Sequence, residues 1–170
     1  MWAVCKKEFR QFFSSLTGYI AIIVFLLFTG LLLFVFPYTS ILDYGYASLE
    51  KFFDLAPWVL LLLIPAISMR SFSEEFRSGT FEILQSRPLT HWQIVKGKYF
   101  AALGVIGIAL TPTWIYFFSV QQLAAQSGMD MGATFGAYIG LFLLTAVFAA
   151  IALCCSSFTP HAIVAFIASV

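Results

Sequence analysis

A chain of 170 residues that is 61% hydrophobic and only 10% charged cannot be a soluble domain, because soluble domains average about 45–50% apolar and about 25% charged residues. The natural solvent for such a composition is a bilayer, whose hydrocarbon core of roughly 30 Å is crossed by about 20 apolar residues in a helix. The net charge of +1 carries little; the distribution of charge carries more, and no nucleic-acid partner is expected.

Residues 1–16 have the pattern of an interfacial helix. Trp2, Cys5, Phe9, Phe12, Phe13 and Leu16 share one face at helical spacing, while Lys7 and Arg10 point away and Lys6 stands at the border. Such a helix places aromatics at the acyl boundary and cations near anionic headgroups. No small-residue cleavage site follows it, so it is not read as a signal peptide. Residues 17–36 form a first span without charge, stopped by Pro37, and 38–55 form a short aromatic loop. Residues 56–69 are the apolar part of a second span. Pro57 suits a first helical turn, and Pro65 predicts a kink.

A polar island follows, residues 70–98, RSFSEEFRSGTFEILQSRPLTHWQIVKGK. It holds three of the eight acidic and five of the nine basic residues. Met69, Phe72 and Phe76 keep helical spacing, so the second helix is expected to run on to about Arg77. Ser78-Gly79 breaks it. A short amphipathic helix fits Thr80 to Ser86, with Gly79 as N-cap, Glu82 reaching back, and Phe81, Ile83 and Leu84 as its apolar residues. Arg87-Pro88 ends that helix. Thr90-His91-Trp92-Gln93 is a capping-box pattern that starts the third span, with Trp92 and Lys98 at the membrane edge.

The third span covers about 99–120 with Pro112 as a kink, and 121–132 is a polar turn. The fourth covers about 133–155, and 160–170 reads as the start of a fifth, cut off after nine apolar residues from Ala162. Eight of the nine cations fall before span one or in the island, and only Lys51 falls on the other side. By the positive-inside rule the N-terminus and the island face the cytoplasm.

Inside the spans so drawn there is no Asp, Glu, Lys, Arg or His, the groups that mark proton relays and intramembrane reaction sites. No GxxxxGK[ST] phosphate cradle occurs in the chain. Cys5, Cys154 and Cys155 lack metal-ligand spacing and read as small apolar fillers. His91, His161 and the carboxylates of Glu74, Glu75 and Glu82 are the only material for a surface enzyme, and no metal or triad spacing connects them. Energy for any uphill movement must come from another polypeptide acting through the island. Small polar residues in the spans, Thr29, Gly30, Thr111, Thr113 and Thr145, are candidates for lining a path, although small residues also pack membrane helices.

The segment SEEFRSGTFEILQSRPLTHWQIVKGKYF resembles the cytoplasmic loop of ABC transporter permeases of the type-2 exporter family. The matching positions are the acidic pair Glu74 and Glu75, then Gly79 and Thr80, Glu82, the apolar pair Ile83 and Leu84, Pro88, and Gly97 and Lys98 entering the next span. The wider run FFDLAPWVLLLLIPAISMRSFSEE is still more like the permease subunits of gliding-motility ABC transporters. Gln85 and Arg87 depart from the family, which more often has Leu and a smaller or lysine residue there. The resemblance covers the whole chain and is most specific from Asp54 to Phe100.

It implies an all-α polytopic protein with six spans in full, working as a homo- or heterodimer of permeases in a bacterial inner membrane. It implies that residues Gly79–Ser86 are a coupling helix resting on a separate ABC ATPase, so that ATP and Mg belong to that partner and this chain binds no cofactor or metal. The N-terminal helix, with Trp2, Lys6, Lys7, Phe9, Arg10 and Phe13, would be the elbow helix, and Thr90, Trp92, Gln93, Gly97 and Lys98 the re-entry into the membrane. A second reading with the same coupling helix is a membrane scaffold that passes ATPase-driven motion to surface machinery without moving a solute.

Overall fold

The structure, a computed structural model, describes residues 1–36, 48–80, 90–123 and 130–170. Every regular element among them is helical. In chain order these are α1 (Trp2–Ser14), α2 (Leu16–Phe34), α3 (Glu50–Ser78), α4 (His91–Leu110), a 3-10 turn (Thr111–Thr113), α5 (Trp114–Leu123), α6 (Met131–Phe158) and α7 (Ala162–Ser169).

Three stretches are long and apolar enough to cross a membrane: α3, α4 with α5, and α6. Helices α1 and α2 pass the same test only together and are bent by 70° between them. Ser15 makes that bend. Its extended backbone (φ −95°, ψ 135°) separates the helices, and its hydroxyl accepts from Gly18 N at 3.3 Å to cap α2. Gly18 is required here, because a Cβ would lie 2.5 Å from the Phe12 carbonyl oxygen.

Helix α3 has 29 residues, about 43 Å at 1.5 Å per residue. That exceeds the roughly 30 Å core by about nine residues, the length of the polar stretch Arg70–Ser78. The helix stays unbroken through Pro57 and Pro65. Its C-terminus is closed by Gly79 in the left-handed region at φ 68°, a conformation glycine adopts without steric cost. Gly79 is thus the C-cap of this helix; the next helix, which it was expected to N-cap, lies outside the described residues. The third span does break at Pro112: α4 passes through the 3-10 turn into α5, and the Thr113 hydroxyl donates to the Leu110 carbonyl at 2.7 Å.

Helices α3 and α6 run parallel in the centre. At one end Phe52 and Phe53 meet Tyr138, with ring centroids 5.9 and 5.0 Å apart. At the other, Ser156 accepts from the Phe72 amide at 3.2 Å and donates to the Met69 carbonyl at 3.1 Å. The core between these ends is apolar, with Phe52, Ala56, Leu60 and Ile64 of α3 fully buried beside Ile106, Ala109 and Ala149. Thr29, Thr113 and Thr145 are completely buried inside the chain. The outer face carries exposed Val24, Leu27, Trp58, Leu62, Ile139 and Val147. A contiguous apolar exterior of this kind fits lipid and not water.

Candidate functional site

The charged end of the bundle is where α1, α3 and α4 converge. Ser71 and Glu75 are four residues apart on α3 and so share a face. Lys98 enters from the second turn of α4, and Lys7 and Glu8 from α1. Helix α4 is started by the capping box that the sequence announced: the Thr90 side chain and the Gln93 side chain cap each other's backbone.

Lys98 is the centre of this end. Its side chain has no exposed surface. Its ammonium donates to Glu8 Oε1 at 2.9 Å and to the Ser71 carbonyl. It also lies 2.9 Å from Glu75 Oε2, as an ion pair without hydrogen-bond alignment. Three acceptors thus surround a group with three protons. The Phe72 ring stands 4.7 Å from the same nitrogen, a cation–π distance. Lys7 binds the other oxygen of Glu75 and stands 3.6 Å from Glu8 Oε1. The Ser71 hydroxyl donates to Glu8 Oε2 at 3.5 Å. Two cations and two carboxylates make a neutral quartet. Neutrality and close pairing are what allow charges to leave water, since a lone buried ion carries a penalty of several kcal/mol. Partial burial opposes the charge on Lys7, but Glu75 and then Glu8 outweigh it and hold the ammonium's pKa above its usual range.

The packing beneath the quartet is close. A Cβ on Gly97 would stand 2.9 Å from Val4 Cβ and 3.1 Å from the Met1 carbonyl oxygen; one on Gly104 would stand 3.4 Å from the Phe9 ring. Gly97 and Gly104 therefore open a groove in α4 that receives α1. The apolar stripe of α1 does not simply face lipid. The helix is turned so that Val4 is buried and Glu8, Phe9, Phe12 and Phe13 are half-buried, while Trp2 and Leu16 are each 76% exposed. The reason is Glu8, which must reach Lys98.

Several expected site residues are placed differently from the sequence reading. Lys98, expected at the membrane edge, is inside the protein. Of the acidic pair that carries the family resemblance, Glu75 has its carboxylate occupied by Lys7 and Lys98, while Glu74 is exposed. Trp92 is exposed. Lys6 and Arg10 are exposed on α1, and Thr80 is exposed beside Gly79. The expected short helix beyond Thr80, with Phe81, Glu82, Ile83, Leu84 and Pro88, lies outside the described residues. Glu8 was missed altogether. The signal for it was present: it is the one acid in a basic helix, and it shares a row with Val4 and Phe12. No group of three or more His, Cys, Asp or Glu among the described residues could hold a metal ion.

No curated protein and no solved structure matches the chain. A family model does: the one described as ABC-2 family transporter protein matches residues 2–170. That range takes in α1, the apolar helices and the charged end alike, so the chain belongs to the ABC-2 family of transporter proteins and is a multi-pass membrane permease component of an ABC transporter.

Proposed function

We propose that this chain is the membrane-spanning subunit of an ATP-driven exporter in a bacterial inner membrane, paired with a second permease and driven through residues 79–88 by a separate ABC ATPase. ATP and Mg are held by that partner, and this chain supplies no catalytic group. The observation that carries the reading is the construction of the two stems of the loop. One stem is the protruding end of α3, closed by Gly79 at φ 68°. The other is the capping box of Thr90 and Gln93. A segment held at both ends by stiff, capped helices that continue into the membrane can pass a push to the spans. A flexible loop would absorb it. The family supports an ATPase partner, and the resemblance of residues 52–75 to the permease subunits of gliding-motility transporters supports a place in gliding motility.

The test uses the complex of the permease with the ATPase subunit that co-purifies with it. Replacing residues 80–87 by a Gly/Ser segment of equal length should leave the permease inserted but abolish its effect on the ATPase rate. An unchanged rate would remove the coupling role.

A further inference from the structure

The quartet joins three things that the chain order keeps apart: α1, the outgoing stem of the coupling loop, and the returning stem. This inference rests on the coupling reading above. We infer that Glu8 and Lys98 are positioning residues that make α1 move as one body with both stems, so that a push on the loop reaches span one through the N-terminal helix.

The geometry supplies each link. Lys98 on the returning stem touches the Ser71 carbonyl and Glu75 on the outgoing stem, and Glu8 on α1. Lys7 adds a second tie from α1 to Glu75. Glu75 is four residues before Gly79, so the tie sits at the very root of the loop. Below it, Val4 against Gly97 and Phe9 against Gly104 fix the height of α1 on α4. Separating α3 or α4 would leave two like charges with a single partner, and withdrawing α1 would break both the Glu8–Lys98 and the Lys7–Glu75 pairs, a larger cost than sliding an apolar face along lipid. The stems and α1 therefore shift together. From α1 the motion passes directly to α2, because Ser15 and Gly18 leave no slack between them: Ser15 N donates to the Phe12 carbonyl at 3.2 Å, and Gly18 packs on that same oxygen. Span one thus receives the push although no part of it lies in the loop.

The decisive variant is Lys98→Met with Glu8→Gln, which removes one charge of each sign and leaves Lys7 paired with Glu75. The permease is reconstituted in nanodiscs, with Cys5, Cys154 and Cys155 replaced and Val4→Cys as the only thiol. With the quartet intact, this thiol is shielded by α4. In the double variant its maleimide labelling should accelerate by about tenfold, the ratio that one moderate interaction controls. In the complex with the ATPase, the same variant should keep subunit association but lose at least about four-fifths of the permease-dependent ATPase rate, roughly a 1 kcal/mol effect in rate terms. Slow labelling with full coupling overturns the inference. So does fast labelling with full coupling, since α1 would then position nothing. So does slow labelling with lost coupling, because α1 would then still be seated.

If the double variant does not insert, Glu8→Gln alone, in which Lys98 keeps Glu75 as its partner, decides. Labelling of Val4→Cys should accelerate and coupling should fall together. Full coupling with accelerated labelling would show that α1 positions nothing. An unaltered complex with no permease-dependent ATPase rate would instead sink the coupling reading of the loop, while the labelling contrast would still test the tie itself.

Discussion

Lys98 and Gly97 are neighbours with opposite duties, one held by charge and the other by the lack of a side chain. Replacing Lys98 alone with Met leaves Glu8 and Glu75 facing each other with only the half-exposed Lys7 between them. Removing one member of a buried ionic group destabilises by about 3–5 kcal/mol, whereas replacing the group by apolar residues of similar volume is often neutral. Equilibrium unfolding in mixed micelles should therefore show Lys98→Met destabilised by about that amount, and the double variant with Glu8→Gln recovering much of it. Gly97→Ala puts a methyl where Val4 Cβ and the Met1 carbonyl already stand, and overpacking of this kind costs about 1–3 kcal/mol. Gly136→Ala is the control. Nothing lies within 4 Å of its Cβ position, so only helix propensity changes and stability should rise by about 0.5–1 kcal/mol. A Gly97→Ala variant as stable as the wild type would mean that α1 does not sit in the α4 groove.

At the scale of elements, much of the helical arrangement could be read from apolar run length. The apolar stretches at 17–36, 56–69, 99–120 and 133–155 correspond to α2, α3, α4 with α5, and α6, with ends shifted by the polar residues each helix carries into water. Local chemistry was equally legible where it is local: the TxxQ capping box, the break at Gly79 and the interruption at Pro112 each depend on residues within four positions. The failures are long-range. That Glu8 reaches Lys98, ninety residues on, depends on how α1 docks, and no periodicity encodes docking. The amphipathic stripe pointed α1 at lipid; the buried charge turned it toward protein. Pro65 does not interrupt α3, which continues past it. Neighbouring helices in a bundle can re-satisfy the carbonyl that proline frees.

At the scale of the whole molecule, everything about energy input depends on which end of the bundle faces ATP. The ends are well separated: α3 and α6 are parallel, so Arg77 and Ser156 share one end, while Phe53, Tyr138 and Asp130 belong to the other. Eight of the nine cations belong to the first end or to segments that adjoin it. Translocated loops are depleted in Lys and Arg, and two separated segments, the N-terminal helix and the island, carry the same bias. The expected outcome is that a single cysteine at Asp130→Cys, in a background without Cys5, Cys154 and Cys155, reacts with a membrane-impermeant maleimide applied to intact spheroplasts. A single cysteine at Arg77→Cys, equally exposed on the surface of the protein, should react only after permeabilisation. The reverse pattern would place the quartet and both stems on the side without ATP. No ATPase could then reach Gly79, and the neutral, fully paired charges around Lys98 would have to be explained as the anchor of an N-terminal helix on the outer face.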